Sequence, residues 1–168
     1  AFDWKLNYPK PFVPRNRTCE VRGRIDARGN ELIALHEADV RDAVRYLQSC
    51  PVDAVAVSLL WSVVAPIHEK RVREIIRDLW PSVPVTLGHE LNPIPREYRR
   101  TISAAIDASL TGVMPAYLER VEGAVRDAGF TGSLLVANCI GGMMTVEEIA
   151  RRPIYSIMSG PTLTPVAA

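Results

Sequence analysis

An almost uninterrupted apolar run, DAVAVSLLW at 53–61, restricts the fold of this chain more than any other feature of its sequence. Such a run is typical of a strand that is covered on both faces within a parallel sheet. A second apolar run, VPVTL, follows at 83–87. Between the two lies an amphipathic helical pattern whose apolar face comprises Val72, Ile75, Ile76 and Leu79. The alternation of helix and strand with short loops predicts an α/β fold with a parallel or mixed sheet and flanking helices.

The residues before this unit predict a connector, a hairpin and a helix. Residues 1–18 contain several prolines and lack periodicity, which indicates an extended connector. Two strand-like stretches, at 19–26 and 31–35, flank a turn signal and predict a β-hairpin. Asp39 is then a candidate N-cap for a helix whose apolar face comprises Val40, Ala43, Val44 and Leu47.

Beyond residue 101 the pattern becomes helical and is then interrupted. Gly112 and Pro115 separate two apolar stripes, which predicts two helices or one sharp kink. The run SLLVANCI at 133–140 predicts another buried strand, and IYSIM at 154–158 predicts a last strand.

Two glycine-containing segments follow these runs. Gly141-Gly142 is expected to make a tight turn from a strand toward a short helix that Thr145 caps. Exposed N–H groups in such a turn can also hold an anion. A bare GG is neither a P-loop nor a dinucleotide fingerprint, however, so the structural role is favoured and a small Rossmann-like enzyme is disfavoured. Ser159-Gly160-Pro161 is likewise expected to be a turn first and a ligand loop second.

The segment HELNPIPREYRRT, residues 89–101, concentrates charge immediately after the second apolar run. Ligands of open α/β sheets bind at the carboxyl ends of the strands. Arginine suits carboxylate or phosphate, and a histidine beside a glutamate can move a proton near neutral pH. One interpretation is therefore a binding site. The other is a helix start in which the dipole stabilises Glu97, with Arg99 and Arg100 on a solvated face.

Charge and hydropathy exclude several classes of partner. The net charge is +1 and no basic cluster occurs, so nucleic acid is not an expected partner. The longest apolar stretch, 54–67, is shorter than the roughly 20 residues of a membrane span and contains Pro66. The N-terminal residues lack the apolar core of a signal peptide. No membrane partner is expected, and the predicted location is the cytoplasm.

The sequence predicts neither a metal site nor a disulfide framework. HxxxH and HExxH spacings are absent. His68 stands beside Glu69 and Lys70 near a predicted helix start, and it is expected to be solvated. The three cysteines are widely spaced and form no CxxC, which fits a reducing compartment; they are Cys19, Cys50 and Cys139.

Several stretches together resemble one family. They are PRNRTCEVRGRID (14–26), VDAVAVSLLWSVVAPIHEKRV (52–72), VPVTLGHELNPIPREYRRT (83–101), ASLTGVMPAYLERVE (108–122) and RPIYSIMSGP (152–161). In this order and with these gaps they resemble the A-type polypeptide of the hydantoinase/oxoprolinase family. That family includes N-methylhydantoinase, 5-oxoprolinase and the acetone and acetophenone carboxylases.

The resemblance implies an actin-like ATPase fold of the ribonuclease H-like type within a longer protein. It implies that ATP, with Mg²⁺, phosphorylates a carbonyl oxygen of a small cyclic amide such as hydantoin or 5-oxoproline, or of a ketone enolate. Hydrolysis or carboxylation then follows, often with a hydantoinase B-type subunit. Residues 19–151 would form an α/β portion of the N-terminal region, and residues 152–168 the start of the following nucleotide-binding domain.

The chain departs from the family's pattern in two respects, the first being that the residues after SGP (159–161) read TLTP (162–165) instead of small residues and glycines. The second is that the two glycine-rich phosphate loops of the DxGGTxTD type are absent, and the chain begins without methionine. We therefore expect a fragment whose partners include the remainder of the A-type polypeptide, and which does not hydrolyse ATP alone. Three alternatives stay open: part of a cyclic-amide hydrolase, part of a ketone carboxylase, or a non-catalytic binding module.

The resemblance carries over to two groups of residues. The family's HE…REY.R stretch, placed near a substrate cleft or a domain interface, matches His89, Glu90, Arg96, Glu97 and Arg99. Segments expected near the nucleotide match Asn138, Gly141, Gly142, Ser159 and Gly160. The resemblance assigns neither an acid, a base nor a metal ligand among them.

Overall fold

The computed structural model describes residues 10–167, and residues 1–9 of the predicted connector lie outside that range. The strands are β1 (Arg24–Ile25), β2 (Glu31–Ile33), β3 (Val55–Val57), β4 (Val85–Leu87), β5 (Leu135–Ala137) and β6 (Met143–Thr145). The helices are α1 (Glu37–Gln48), α2 (Ile67–Leu79), α3 (Gly88–Leu91), α4 (Glu97–Thr111), α5 (Met114–Asp127), α6 (Val146–Arg151) and α7 (Ser159–Ala167). Two 3₁₀ helices occupy Arg15–Arg17 and Pro153–Ser156.

The strand–helix–strand unit β3–α2–β4 is the parallel pair that the apolar runs predict. Val55 lies opposite Val85, and Val57 lies opposite Leu87. Side chains alternate between the two faces of a strand. Val57 and Leu87 accordingly join a core with α1 and α2, whereas Thr86 hydrogen-bonds to α4. Helices therefore cover both faces of the pair.

The core of this unit is aliphatic. Its buried members are Val40, Val44, Val57, Val72, Ile75, Ile76, Val83 and Leu87. The members on α1 and α2 recur at the spacing of one helical face. Full burial of such a side chain contributes about 1.5–3 kcal/mol. This cluster therefore holds the two helices against the strands.

The hairpin predicted from 19–35 is present as the antiparallel pair β1–β2. Asp26 organises its turn, because the Asp26 carboxylate accepts the backbone N–H groups of Arg28 and Asn30, each at 2.8 Å. Hydrogen bonds hold the pKa of Asp26 below its usual range, with the Asn30 side chain as the largest cause. Gly29 takes the positive φ of 87° that the turn requires.

Helix α1 begins earlier than predicted. Its N-cap is His36 rather than Asp39, so the predicted capping role of Asp39 is wrong. The Asp39 carboxylate instead receives a bidentate bond from Arg22, with Nε–Oδ2 and Nη2–Oδ1 both at 2.7 Å. The Arg22 hydrogen bond holds the pKa of Asp39 well below its usual range. The pair connects the segment before β1 to α1.

The sequence predicted one parallel or mixed sheet, and this prediction is wrong for the described residues. They form three separate two-stranded sheets, of which only β3–β4 is parallel. The run 53–61 is a strand only from Val55 to Val57, because the chain then turns away, with Trp61 at a φ of 57°. The fold of this portion is α/β with small sheets.

The predictions for the C-terminal third need three corrections. Strand β5 pairs antiparallel with β6, so Gly141-Gly142 lies in a hairpin turn and not in a strand-to-helix turn. Residues 154–158 are not a strand, because Ile154 lies in the 3₁₀ helix Pro153–Ser156. Ser159 and Gly160 begin α7 rather than forming a turn.

Two other predictions for this region are confirmed. Helix α4 ends at Thr111, and α5 begins at Met114 with Pro115 in its first turn. Thr145 caps α6, since its Oγ1 accepts the backbone N–H of Glu148 at 3.2 Å. None of the helices within residues 10–167 has the length and apolarity needed to cross a membrane.

Candidate functional site

Charged side chains from three helices converge where β3 and β4 end. Helix α3 begins directly after β4, and α4 follows it after a short proline-containing loop. Helix α2, which connects the two strands, supplies a third set of side chains. This edge is the carboxyl end of a parallel pair, the position at which α/β sheets bind ligands.

Glu69 on α2 is fully buried at this edge, with 0% exposure. Its Oε1 accepts the backbone N–H of Leu59 at 2.7 Å. Its Oε2 accepts the backbone N–H of His89 at 3.1 Å and lies 2.6 Å from Nδ1 of the same residue. A buried carboxylate is stable only when its oxygens are hydrogen-bonded, as they are here. Glu69 thus joins the ends of both strands.

Arg100 on α4 is also fully buried, at 0% exposure. Its Nη1 donates to the carbonyl of Ile94 at 2.7 Å, and its Nη2 donates to the carbonyl of Leu59 at 2.8 Å. The Leu59 residue is therefore bonded from both sides, through its N–H to Glu69 and through its C=O to Arg100. Among the described residues, Arg100 Nε has no hydrogen-bond partner.

His89 and Glu90 of α3 lie beside this buried pair. The His89 side chain is only 10% exposed, and its Nε2 is 3.9 Å from Glu90 Oε1. Glu90 is itself paired with Arg73 of α2, with Nη1–Oε2 at 2.7 Å. His89 therefore has one ring nitrogen on a buried carboxylate and the other toward a half-exposed, partly neutralised one.

The remaining three predicted residues lie around the start of α4. Glu97 is in its first turn, as predicted, with Oε1 4.0 Å from Arg100 Nη2. Arg96 and Arg99 are exposed, and within residues 10–167 neither forms a side-chain hydrogen bond or ion pair. The structure thus groups His89 and Glu90 closely and leaves Arg96 and Arg99 at the surface.

Two residues at the centre of this site were missed by sequence reasoning. Arg100 was expected on a solvated face, and Glu69 was not singled out. His68, expected to be solvated, is also buried, with Nε2 2.6 Å from Glu31 Oε1. A signal existed for Glu69, which stands one turn before Val72 and Arg73 and shares a face with them.

Asp107 on α4 connects β4 to the C-terminal segment. Its Oδ2 accepts the Thr86 hydroxyl at 2.9 Å, and its Oδ1 accepts the backbone N–H of Ile154 at 3.1 Å. Burial raises the pKa of the Asp107 carboxyl. The two hydrogen bonds and the charge of Arg152 partly oppose this rise. The Tyr155 hydroxyl donates to the carbonyl of Leu91 at 3.4 Å, which brings the same segment to α3.

The five residues expected near a nucleotide fall into two places. Asn138, Gly141 and Gly142 belong to the β5–β6 turn, and Ser159 and Gly160 begin α7. An open surface pocket of about 510 Å³ lies beside them, lined by Ile106, Cys139, Ile154, Ile157, Met158, Pro161 and Thr162. Its lining is mainly apolar.

The β5–β6 turn does not fit a phosphate group in this conformation. Asn138 Oδ1 accepts the N–H groups of Ile140 and Gly142 at 3.1 and 2.9 Å, and the Asn138 carbonyl accepts that of Gly141 at 3.3 Å. The turn's donors are therefore already used. Within residues 10–167, no three His, Cys, Asp or Glu side chains cluster as metal ligands.

Two family models match this sequence. A model of the hydantoinase/oxoprolinase N-terminal region matches residues 1–80, and a hydantoinase/oxoprolinase model matches residues 100–168. The chain belongs to the hydantoinase/oxoprolinase family, as its motifs predicted.

Three characterised proteins are similar over nearly the whole chain. The caprolactamase alpha subunit of Pseudomonas jessenii is 36% identical over 93% of this chain, and the acetophenone carboxylase gamma subunit of Aromatoleum aromaticum is 38% identical over 92%. The crystal structure of the ATP-dependent caprolactamase gives a TM-score of 0.89 over 99% of this chain. Nucleotide-free acetone carboxylase gives 0.82 over 93%, at 28% identity.

The match covers only part of each relative. The chain spans 22% and 21% of the length of the two sequence relatives, and 24% and 22% of the two solved chains. It corresponds to about one quarter of each of these proteins, and the two solved structures are named for ATP-dependent reactions.

Proposed function

We propose that the chain is part of a longer, cytoplasmic, ATP-dependent enzyme that opens a small cyclic amide through a phosphorylated carbonyl. The proposal is carried by the TM-score of 0.89, over 99% of the chain, to an ATP-dependent caprolactamase. A caprolactamase is named for a cyclic amide, a substrate class that the family resemblance implies. The complete protein would have an actin-like ATPase fold and would use Mg²⁺ with ATP.

In this proposal the edge formed by β3, β4 and α3 is one wall of the substrate site. His89, Glu90 and Glu97 line it, and Arg96 and Arg99 are exposed donors suited to an anionic or carbonyl group. Residues 19–151 form an α/β portion of the N-terminal region. Residues 152–168, which include Ser159 and Gly160, begin the nucleotide-binding domain, with Asn138, Gly141 and Gly142 near it.

Phosphate binding belongs to the remainder of the polypeptide, because the N–H groups of the β5–β6 turn are bonded within the turn. The partners are that remainder and a B-type subunit; the names of the relatives likewise denote subunits. The role of this portion is therefore to bind and orient the substrate at the strand ends.

The test is an assay of the complete gene product with its copurifying subunits. ADP release is measured with hydantoin, 5-oxoproline or caprolactam, and ring-opened product is quantified. We expect one cyclic amide to stimulate ADP release and to be opened. The absence of ATP-dependent turnover with every compound tested would instead favour a non-catalytic binding module.

A ketone carboxylase is the second candidate. It is supported by the identity to the acetophenone carboxylase gamma subunit, which at 38% is close to the 36% of the caprolactamase. The same assay with acetone or acetophenone and labelled bicarbonate distinguishes the two. If the label appears in an acid-stable product and no cyclic amide is opened, the complete protein is a ketone carboxylase.

The double variant Arg96→Ala/Glu97→Ala tests the proposed wall. A charge-assisted hydrogen bond contributes about 1.5–3 kcal/mol, so loss of such a contact lowers kcat/KM roughly tenfold or more. The control is Asp42→Ala/Arg45→Ala, which removes an exposed ion pair from α1. Equal activity of both variants, with folding unchanged, would show that the segment is only the start of a helix.

A further inference from the structure

We infer that Glu69 is a positioning residue that holds His89 in its Nδ1–H tautomer and leaves Nε2 as the proton acceptor of the site. The assignment of the tautomer follows from contacts within the chain. The identity of the group that gives a proton to Nε2 rests on the proposed function.

Glu69 is surrounded by hydrogen-bond donors. Its two oxygens face two backbone N–H groups, those of Leu59 and His89, at 2.7 and 3.1 Å. A backbone N–H can only donate, so the carboxylate lone pairs are directed to these groups. An ionised carboxylate only accepts, and it has about four lone-pair positions for the donors around it.

A ring nitrogen of His89 approaches the same carboxylate. Nδ1 of His89 lies 2.6 Å from Glu69 Oε2. With a proton on Nδ1 this contact is a short, charge-assisted hydrogen bond. Without that proton, and with Glu69 ionised, two lone pairs would face each other at the same distance. In the neutral ring a proton on Nδ1 leaves Nε2 with a free lone pair.

The other ring nitrogen, Nε2, has different surroundings. Within residues 10–167 Nε2 forms no hydrogen bond. The carboxylate oxygen Oε1 of Glu90 lies 3.9 Å from it. Glu90 is bonded to Arg73 at 2.7 Å. The charged groups beside the ring are thus Glu69 from α2 and Glu90 from α3, and Arg73 of α2 pairs with Glu90. Arg100 of α4 donates to the carbonyl of Leu59, whose N–H donates to Glu69.

This arrangement can carry out a balanced proton transfer. An O–H or N–H of a bound water or substrate gives its proton to Nε2, and the bonding electron pair stays on that oxygen or nitrogen. The ring becomes an imidazolium with N–H groups on both sides, toward Glu69 and toward Glu90. Glu69 stabilises that cation without itself taking the proton, because its oxygens continue to accept three N–H groups.

The tautomer is measured directly by nitrogen-15 NMR of the histidine ring in the 168-residue chain. We expect neutral His89 to carry its proton on Nδ1 and to lack one on Nε2. In Glu69→Gln the single acceptor oxygen cannot serve all three donors, so the tautomer preference weakens. A neutral ring protonated on Nε2 in the wild-type chain overturns the inference, whether or not the variant folds.

The function of Nε2 is tested in the complete gene product with His89→Asn and His89→Gln. The Asn amide can keep the bond to Glu69 but has nothing at the Nε2 position, so folding and the KM for ATP stay unchanged. Because proton transfer by a positioned group contributes ~10²–10⁴-fold, we expect kcat to fall about 100-fold. Wild-type kcat in His89→Asn would assign the histidine a structural role.

These two measurements distinguish a failure of the tautomer assignment from a failure of the proposed function. If the wild-type gene product turns over no cyclic amide or ketone, the proposed function fails. The tautomer measurement still decides whether Glu69 positions His89, because it needs no substrate. In a His89→Gln variant the bond to Glu69 is lost, and reduced thermal stability relative to His89→Asn is the expected sign of that loss.

Discussion

At Arg100, the desolvation of a cation is offset by two carbonyl acceptors. A buried guanidinium is unstable unless its N–H groups are bonded, and here they hold the carbonyls of Ile94 and Leu59. Its neighbour Arg99 is exposed. Two adjacent arginines on one helix therefore have opposite roles. The side chain of Arg100 fixes the end of β3 against the loop that leads into α4.

We predict that Arg100→Ala destabilises the chain far more than Arg99→Ala. The first variant removes the charge-assisted bonds to the carbonyls of Ile94 and Leu59, at about 1.5–3 kcal/mol each. The second changes a solvated side chain and is expected to stay within roughly 0.5 kcal/mol of the wild type. Urea denaturation followed by circular dichroism measures both. Equal midpoints for the two variants would contradict the assigned role of Arg100.

At the level of elements, the junction of β4 with α3 is the tightest in the site. Gly88 begins α3 with no intervening loop. A Cβ at this position would lie 3.0 Å from Arg100 Cγ and 3.3 Å from Ser58 Oγ. Gly112, at the end of α4, has no atom within 4 Å of such a Cβ. The absence of a side chain at Gly88 lets α4 approach the strand ends.

We predict opposite effects for alanine at these two glycines. Gly88→Ala forces Arg100 or α3 to shift and costs about 1–3 kcal/mol. Gly112→Ala leaves stability unchanged or raises it by roughly 0.4–1 kcal/mol, because its φ of −79° suits alanine and the unfolded chain loses freedom. Thermal unfolding of the two variants makes the comparison. A Gly88→Ala variant as stable as Gly112→Ala would show that the junction has free space.

At the level of the whole chain, Asp107 connects the parallel unit to the C-terminal segment. Its carboxyl joins Thr86 of β4 to Ile154 of the second 3₁₀ helix. Burial raises its pKa above the ordinary value, so the folded state binds this proton more tightly than the unfolded state. The stability that comes from this proton is fully present below the unfolded pKa of about 3.9 and is lost as pH rises through the folded pKa.

We predict that the wild type loses stability relative to Asp107→Asn as pH rises from about 3.5 toward neutrality. Asparagine keeps an acceptor oxygen for one of the two donors but never ionises. Urea titrations of both proteins across this range measure the difference in free energy of unfolding. Asp78→Asn, an exposed position, controls for the loss of one negative charge. A difference between wild type and Asp107→Asn that is constant with pH would exclude coupled titration of Asp107.

The sequence by itself determined the elements whose signals are local. Hydrophobic periodicity predicted β3, α2 and β4 and their parallel pairing, turn chemistry predicted the β1–β2 hairpin, and Gly112 with Pro115 predicted the break between α4 and α5. Its motifs also identified the family. The charged segment at 89–101 located the edge of the sheet at which side chains converge.

Only the tertiary structure decided which charged groups are buried. Glu69 and Arg100 look like ordinary helix-surface residues in the sequence, and both are stabilised through Leu59, which is 41 positions from Arg100. The same holds for the turn at Gly141-Gly142, because the glycines alone do not predict that a strand, β6, follows them and pairs with β5. Burial of a polar group depends on partners that are distant in sequence, whereas periodicity and turn propensity are properties of a short window.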